Sequence, residues 1–152
     1  MKSGNGKPPS TLLAIDYGLK RIGIATGSLV TGTASPLETV ASVANQPNWE
    51  RLRKLISEWQ PDIIVVGLPR NHDGTDSEMT TIVKEFATEL LGRCGIPVEF
   101  IDERYTSVEA EALLREQRRQ GIRNKKLRKE DVDAVAAQLI AESWMRKTAG
   151  NH

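Results

Sequence analysis

Cysteine is almost missing from this chain: Cys94 is the only one in 152 residues. No internal disulfide can form, and such cysteine usage fits a protein kept in the cytoplasm. A single thiol of this kind reads as a small buried hydrophobe. Histidine is equally scarce. His72 and His152 stand far apart, so no Cys/His spacing suited to zinc exists. Aromatic residues number 3 Trp, 2 Tyr and 2 Phe, too few and too scattered for a stacking surface such as single-strand binders use. No apolar run approaches the ~18–20 residues that cross a bilayer, and the opening MKSGNGKPPS has no apolar stretch of the secretory type. Residues 1–10 read as a flexible tail. What is present is 39% hydrophobic residues, enough for one packed domain over 11–147 with a short tail over 148–152 and no membrane partner.

The net charge of +1 hides an uneven distribution. Arg115, Arg118, Arg119, Arg123, Lys125, Lys126, Arg128 and Lys129 stand against one acid, Glu116. This segment carries +7 and the remainder therefore −6. A solvated helix end could look the same, but a basic stretch on an acidic body points to a polyanionic partner. No aromatic residue interleaves with the basic run, so the expected contact is to phosphate backbone, through Arg123, Lys125, Lys126 and Arg128, and not to bases.

The hydrophobic pattern changes period along the chain. Thr11 to Tyr17 begins with consecutive apolar residues, as in a strand covered on both faces. Arg21 to Gly27 follows after a turn at Gly18, and a third extended run covers about Val30 to Val40, with Pro36 implying an edge position. Three strands so closely spaced predict an antiparallel meander. Trp49, Leu52, Leu55, Ile56 and Trp59 then repeat at helical spacing up to Pro61. Asp62 to Gly67 is a buried strand. Ile82, Val83, Phe86, Ala87, Leu90 and Leu91 form a helical stripe ended by Gly95 and Pro97. Pro97 to Ile101 is a further strand, parallel to the last through a crossover helix. A capping-box pattern from Thr106 to Glu109 opens another helix, the basic loop follows at 121–130, and a final helix covers about Asp131 to Lys147. The order βββαβαβ followed by two helices predicts an α/β fold: a mixed five-stranded sheet, three strands antiparallel and the rest parallel, flanked by helices.

Three acidic positions stand out against this layout. Asp16 follows directly on Leu12, Leu13, Ala14 and Ile15, and a charge at the end of such a strand is costly unless it is paired or binds metal. A turn-forming Asp before Gly18 would explain it as well. Asp102 and Glu103 lie just past the strand Pro97 to Ile101. Neighbours on an extended chain point to opposite sides, so one of the two is expected to face Asp16, and the pattern does not say which. A salt bridge to Arg104 is the simpler reading of that pair. Asp133 shares a helical face with Ala136, Ala137, Ile140 and Trp144 and should look inward, whereas Asp131 is better placed as a cap. The alanines let this helix lie close to the sheet. A hydrogen-bonded internal acid would satisfy the same pattern. Carboxylates converging at one end of the sheet would suit Mg²⁺ or Mn²⁺, and two such ions could activate water and stabilise the leaving oxygen of a phosphodiester.

DYGLKRIGIA at 16–25, VGLP at 66–69 with Asp73-Gly74, DER at 102–104 and VDAVAA at 132–137 together resemble the YqgF/RuvX family, over roughly Leu12 to Trp144. Each motif alone is common, whereas all four in this order are specific. The resemblance implies an RNase H-like fold and a hydrolase that cuts phosphodiesters, assigned to maturation of the 5′ end of pre-16S ribosomal RNA in ribosome biogenesis. Holliday junction resolution is the family's older assignment. It implies Asp16, Glu103 and Asp133 as catalytic, metal-holding acids, so choosing Glu103 over Asp102. Lys20, Arg21 and Arg104 match positions that would face nucleic acid. Many relatives carry Ser-Asp where this chain has Gly27-Ser28, and Arg70 and His72 occupy loop positions that are often neutral; Arg70 is expected to add phosphate affinity. No dimer surface is evident, and a monomer or weak homodimer is expected.

Two other classes compete. An actin-fold phosphotransferase also opens on Asp-x-Gly, as in Asp16-Tyr17-Gly18, but needs about twice this length to close two domains over a nucleotide. An inactive nuclease fold serving as an RNA-binding module is opposed only by the retained acids.

Overall fold

The computed structural model describes residues 10–102 and 129–150, with the side chains of 129–131 and 150 excepted. Strands β1 (Thr11–Tyr17), β2 (Arg21–Ser28) and β3 (Thr33–Val43) form the meander, and a two-residue strand β4 (Gln46–Pro47) folds back on the end of β3. Helix α1 (Trp49–Trp59), strand β5 (Ile63–Leu68), helix α2 (Glu78–Cys94), strand β6 (Val98–Asp102) and helix α3 (Lys129–Gly150) follow. The expected helix from Thr106 and the basic loop lie outside the described residues.

The sheet order is β4-β3-β2-β1-β5-β6, six strands where five were expected. The extra strand comes from a tight hairpin: Ala44 and Asn45 adopt φ of 54° and 62°, the left-handed geometry that two-residue hairpins require. β3 also begins and ends three residues later than its hydrophobic pattern suggests. Pro36 is accommodated because β4 pairs only with Ser42 and Val43, which leaves that stretch of β3 on an edge. The register there slips between Ile24↔Glu38 and Ala25↔Pro36, a bulge at Leu37.

Helix ends follow their local chemistry. Asn48 caps α1 by accepting from Arg51 N at 3.1 Å, and Gln60 closes it with φ 44° just before Pro61. Ser77 and Thr80 cap α2 reciprocally, and Gly95 at φ 73° ends it. Thr80 is fully buried, and its hydroxyl also donates to the Pro69 carbonyl, so the cap holds the β5–α2 loop.

Strand alternation divides the core. Leu13, Ile15, Ile22, Ile24, Ile64 and Val66 face α1 and α2, where they meet Leu52, Leu55, Val83, Phe86 and Leu90. Leu12, Ala14, Ala25, Ile63, Val65 and Ile101 face α3 through Ala137, Ile140, Ala141 and Trp144. Three expected core positions are wetter than predicted. Leu91 at the edge of the α2 stripe and Trp59 in the last turn of α1 are exposed, and Ala136 is half-buried. Cys94 is half-buried against the first cluster, not enclosed. α3 continues to Gly150, taking up residues expected to form a tail.

Candidate active site

β1, β5 and β6 run parallel, so their C-terminal ends, at Tyr17, Leu68 and Asp102, share one end of the sheet. This is where open α/β sheets carry ligands. Asp16 belongs to the even-numbered series of β1 with Leu12 and Ala14, so it lies on the α3 face. Its direct cross-strand partner is Gly23.

Gly23 decides how near α3 can come. A Cβ at this position would collide with the carbonyl group of Asp133 and crowd Ala134 N at 3.1 Å. The backbone of α3 at Asp133 therefore rests on the bare Cα directly opposite Asp16. Residues facing each other across antiparallel strands are about 4.5–5.5 Å apart at Cα. Asp16 and the backbone of α3 at Asp133, 117 positions apart in sequence, thus both lie against Gly23. The missing side chain at 23 is the feature that the motifs do not reveal. Its signal lies in the strand itself: the α3 side of β2 reads Gly23, Ala25, Gly27, all small, opposite Asp16, Ala14 and Leu12.

The environment is polar on one side and packed on the other. Asp16 is half-buried and engaged with neighbours. Asp133 accepts a hydrogen bond at Oδ2 from Arg21 Nε at 2.8 Å, with the two side chains 22% and 36% exposed. Arg21, expected from sequence to face nucleic acid, is thus bound to a predicted metal ligand. Arg70 is also committed: it pairs with Asp76 at 3.6 Å and donates to Gly74 O at 3.4 Å inside the β5–α2 loop. Sequence spacing does not single out Asp76 as its partner, because the bridge that sets Arg70 against Asp76 is made by the turn at Asn71–Thr75. Lys20 and His72 are exposed. Tyr17, on the other face, packs against Phe86 with ring centroids 4.4 Å apart and planes tilted by 34°, and burial, with the nearby Glu89 charge, raises its pKa so that it stays neutral.

Of the acidic pair after β6, only Asp102 lies among the described residues. Ile101 packs in the α3-side cluster, whereas Val98 packs on the opposite side and Asp102 pairs with Leu68 of that same side. Asp102 therefore lies on the face away from Asp16. Glu103, Arg104, Arg123, Lys125, Lys126 and Arg128 lie outside the described residues, as does the side chain of Asp131. Among the described residues no group of three His, Cys, Asp or Glu is set to hold a metal ion. Carboxylate oxygens such as those of Asp16 and Asp133 suit a hard divalent cation in kind, with further ligands required.

Residues 10–147 match the family described as RuvX, Holliday junction resolvase. A protein of Aeromonas salmonicida (strain A449) named "Putative pre-16S rRNA nuclease" is 48% identical over 140 residues, covering 92% of this chain and 97% of the relative. The chain belongs to the RuvX family. Another relative, from Saccharophagus degradans and bearing the same name, is 44% identical over 90% of this RuvX chain and 94% of its own. Among solved structures, Thermus thermophilus RuvC in complex with a Holliday junction superposes with a TM-score of 0.59 at 17% identity, covering 93% of this chain and 96% of that one. The yeast mitochondrial resolvase Ydc2 gives 0.56 at 14% identity, with 93% and 80% covered. At such identities the likeness establishes the RNase H-like fold.

Proposed function

We propose that this RuvX-family chain is a metal-dependent endonuclease of the cytoplasm, a hydrolase that cuts phosphodiester bonds in maturing the 5′ end of pre-16S ribosomal RNA. The observation that supports the reading is that Asp16 of β1 and the α3 backbone at Asp133 both meet Gly23, near the C-terminal ends of the parallel strands. The names of relatives at 44–48% identity favour the ribosomal RNA precursor as substrate. Cleavage of a four-way DNA junction is the second reading, favoured by the family's own description.

Asp16, Asp133 and Glu103 would hold Mg²⁺ or Mn²⁺. Glu103 is the acid that the family resemblance implies, and the position of Asp102 on the face of β6 away from Asp16 favours the same choice. When bound, the metal supplies an activated water and charge stabilisation at the leaving oxygen. The chain's own part would be to carry the two carboxylates on a strand and a helix that Gly23 allows to pack closely. Lys20, with Arg104 and the basic residues Arg123, Lys125, Lys126 and Arg128, would hold phosphates on either side. Arg70 would contribute only if its ion pair with Asp76 opens. The domain is proposed to be single, over 11–147, and active as a monomer or weak homodimer.

The experiment is cleavage of labelled pre-16S 5′-end RNA and of junction DNA in Mg²⁺ or Mn²⁺, with wild type beside Asp16→Asn. The expected result is cleavage of the RNA by wild type and a reduction of about 10²–10³-fold in the variant, the scale on which transition-state charge stabilisation operates. Activity that persists in Asp16→Asn rejects the site. Cleavage confined to the junction replaces the first substrate with the second.

A further inference from the structure

We infer that Arg21 exchanges partners during the reaction cycle: it neutralises Asp133 in the metal-free protein and moves to a substrate phosphate when a divalent ion takes that carboxylate. The inference rests on the proposed metal-nuclease reading and adds a role for one residue that this reading leaves open.

Three features of the pair support it. First, both backbones are held. Arg21 opens β2 and is paired with Ala41 of β3, and Asp133 rests against Gly23. Any rearrangement must come from the side chains. Second, the contact is a single bond, Arg21 Nε to Asp133 Oδ2 at 2.8 Å, and not the two-pronged grip of which a guanidinium is capable. One bond is easier to give up. For comparison, Arg51 grips Glu38 through Nε and a second nitrogen, and that pair has the form of a fixed strut. Third, the Arg21 side chain is 36% exposed while Asp133 is 22% exposed. The cation is the more exposed partner and has room to swing outward.

Charge then sets the order of events. Asp133 cannot give its full charge to a guanidinium and to a dication at once. Arg21, pushed off by like charge, keeps an unsatisfied fork of donors beside the position where a phosphodiester must arrive. Arg21 would therefore lower metal affinity in the free protein and raise nucleic-acid affinity in the metal-loaded one.

Mn²⁺ binding to the whole chain, without nucleic acid, tests the first half. Arg21→Gln should bind Mn²⁺ about tenfold more tightly than wild type, the worth of one charge-assisted bond removed from the competition. Arg21→Lys keeps the charge and should stay within about threefold of wild type, so a merely structural disturbance is told apart from an end to the competition. Anisotropy with a labelled RNA duplex tests the second half. Arg21→Gln should match wild type in EDTA and bind about tenfold more weakly in Ca²⁺. Weaker or unchanged Mn²⁺ binding in Arg21→Gln, tightening in Arg21→Lys as well, or an equal drop in duplex binding in EDTA and Ca²⁺ would each overturn the exchange. If Asp16→Asn binds Mn²⁺ as wild type does, the metal site itself fails and the exchange falls with it. If Asp16→Asn no longer binds Mn²⁺ and Arg21→Gln gains nothing, the exchange alone fails.

Discussion

Gly23 is the residue on which the geometry turns. A methyl group there must push α3 off the sheet or bend β2, because it meets backbone and not a movable side-chain tip. Overpacking of this kind costs about 1–3 kcal/mol. The catalytic cost should be larger, since a displacement near 1 Å at a positioned group can cost about 100-fold. Gly23→Ala is therefore expected to lower the melting temperature modestly and to cut nuclease activity by about two orders of magnitude. Activity within threefold of wild type, measured at a temperature where the variant is folded, would remove Gly23 from the account. Asp16 and Asp133 stand out in the sequence because each is an acid in apolar company, and burial of charge demands a partner. Arg21 as the partner of Asp133 cannot be read, since the two are separated by 112 positions and nothing local links them. Arg70 is obscured for the same reason on a smaller scale: its partner Asp76 is set by a turn, not by periodicity.

Elements are more legible than contacts. β1 and α1 run as their hydrophobic periods predict, and Pro61 and Gly95 mark helix ends by chemistry local to the chain. β4 is not legible, because two residues carry no period; only the positive φ at Ala44 and Asn45 creates it. The start of β1 shows how an element is fastened. Asp62, just before β5, accepts from Ser10 N at 2.9 Å, Thr11 N at 3.1 Å and both hydroxyls at 3.2 Å. The backbone donors of Ser10 and then Thr11 hold its carboxyl below the usual Asp range. A carboxylate depressed in the folded state stabilises fully above its unfolded value of about 3.9, and that stabilisation disappears as pH falls through the folded value. Asp62→Asn is therefore expected to be about 0.5–1 kcal/mol less stable at pH 7, discounted for its contact with solvent. The gap to wild type should close as denaturation is repeated at successively lower pH below about 4. A gap that widens on acidification would assign the stabilisation to some other group.

At the scale of the whole molecule, the charge distribution makes a separate claim. A segment of +7 on a body of −6 should grip phosphate backbone non-specifically, with affinity that falls steeply with salt. Replacing Lys125 and Lys126 together by Ala should weaken RNA binding at low salt. It should also reduce the slope of log affinity against log salt by about 2, one for each lysine withdrawn from a phosphate. An unchanged slope would assign the basic run to a solvated surface. The fold as a class is open to sequence reasoning, because the order of strands and helices admits few topologies. The claim that matters most is that Asp16 and Asp133 share a divalent ion, and the most direct measurement is anomalous diffraction from crystals grown with Mn²⁺. An anomalous peak is expected between these two carboxylates above Gly23, with Arg21 turned away from Asp133. A Mn²⁺-saturated crystal with no peak there, and with the Arg21–Asp133 bond intact, would contradict it.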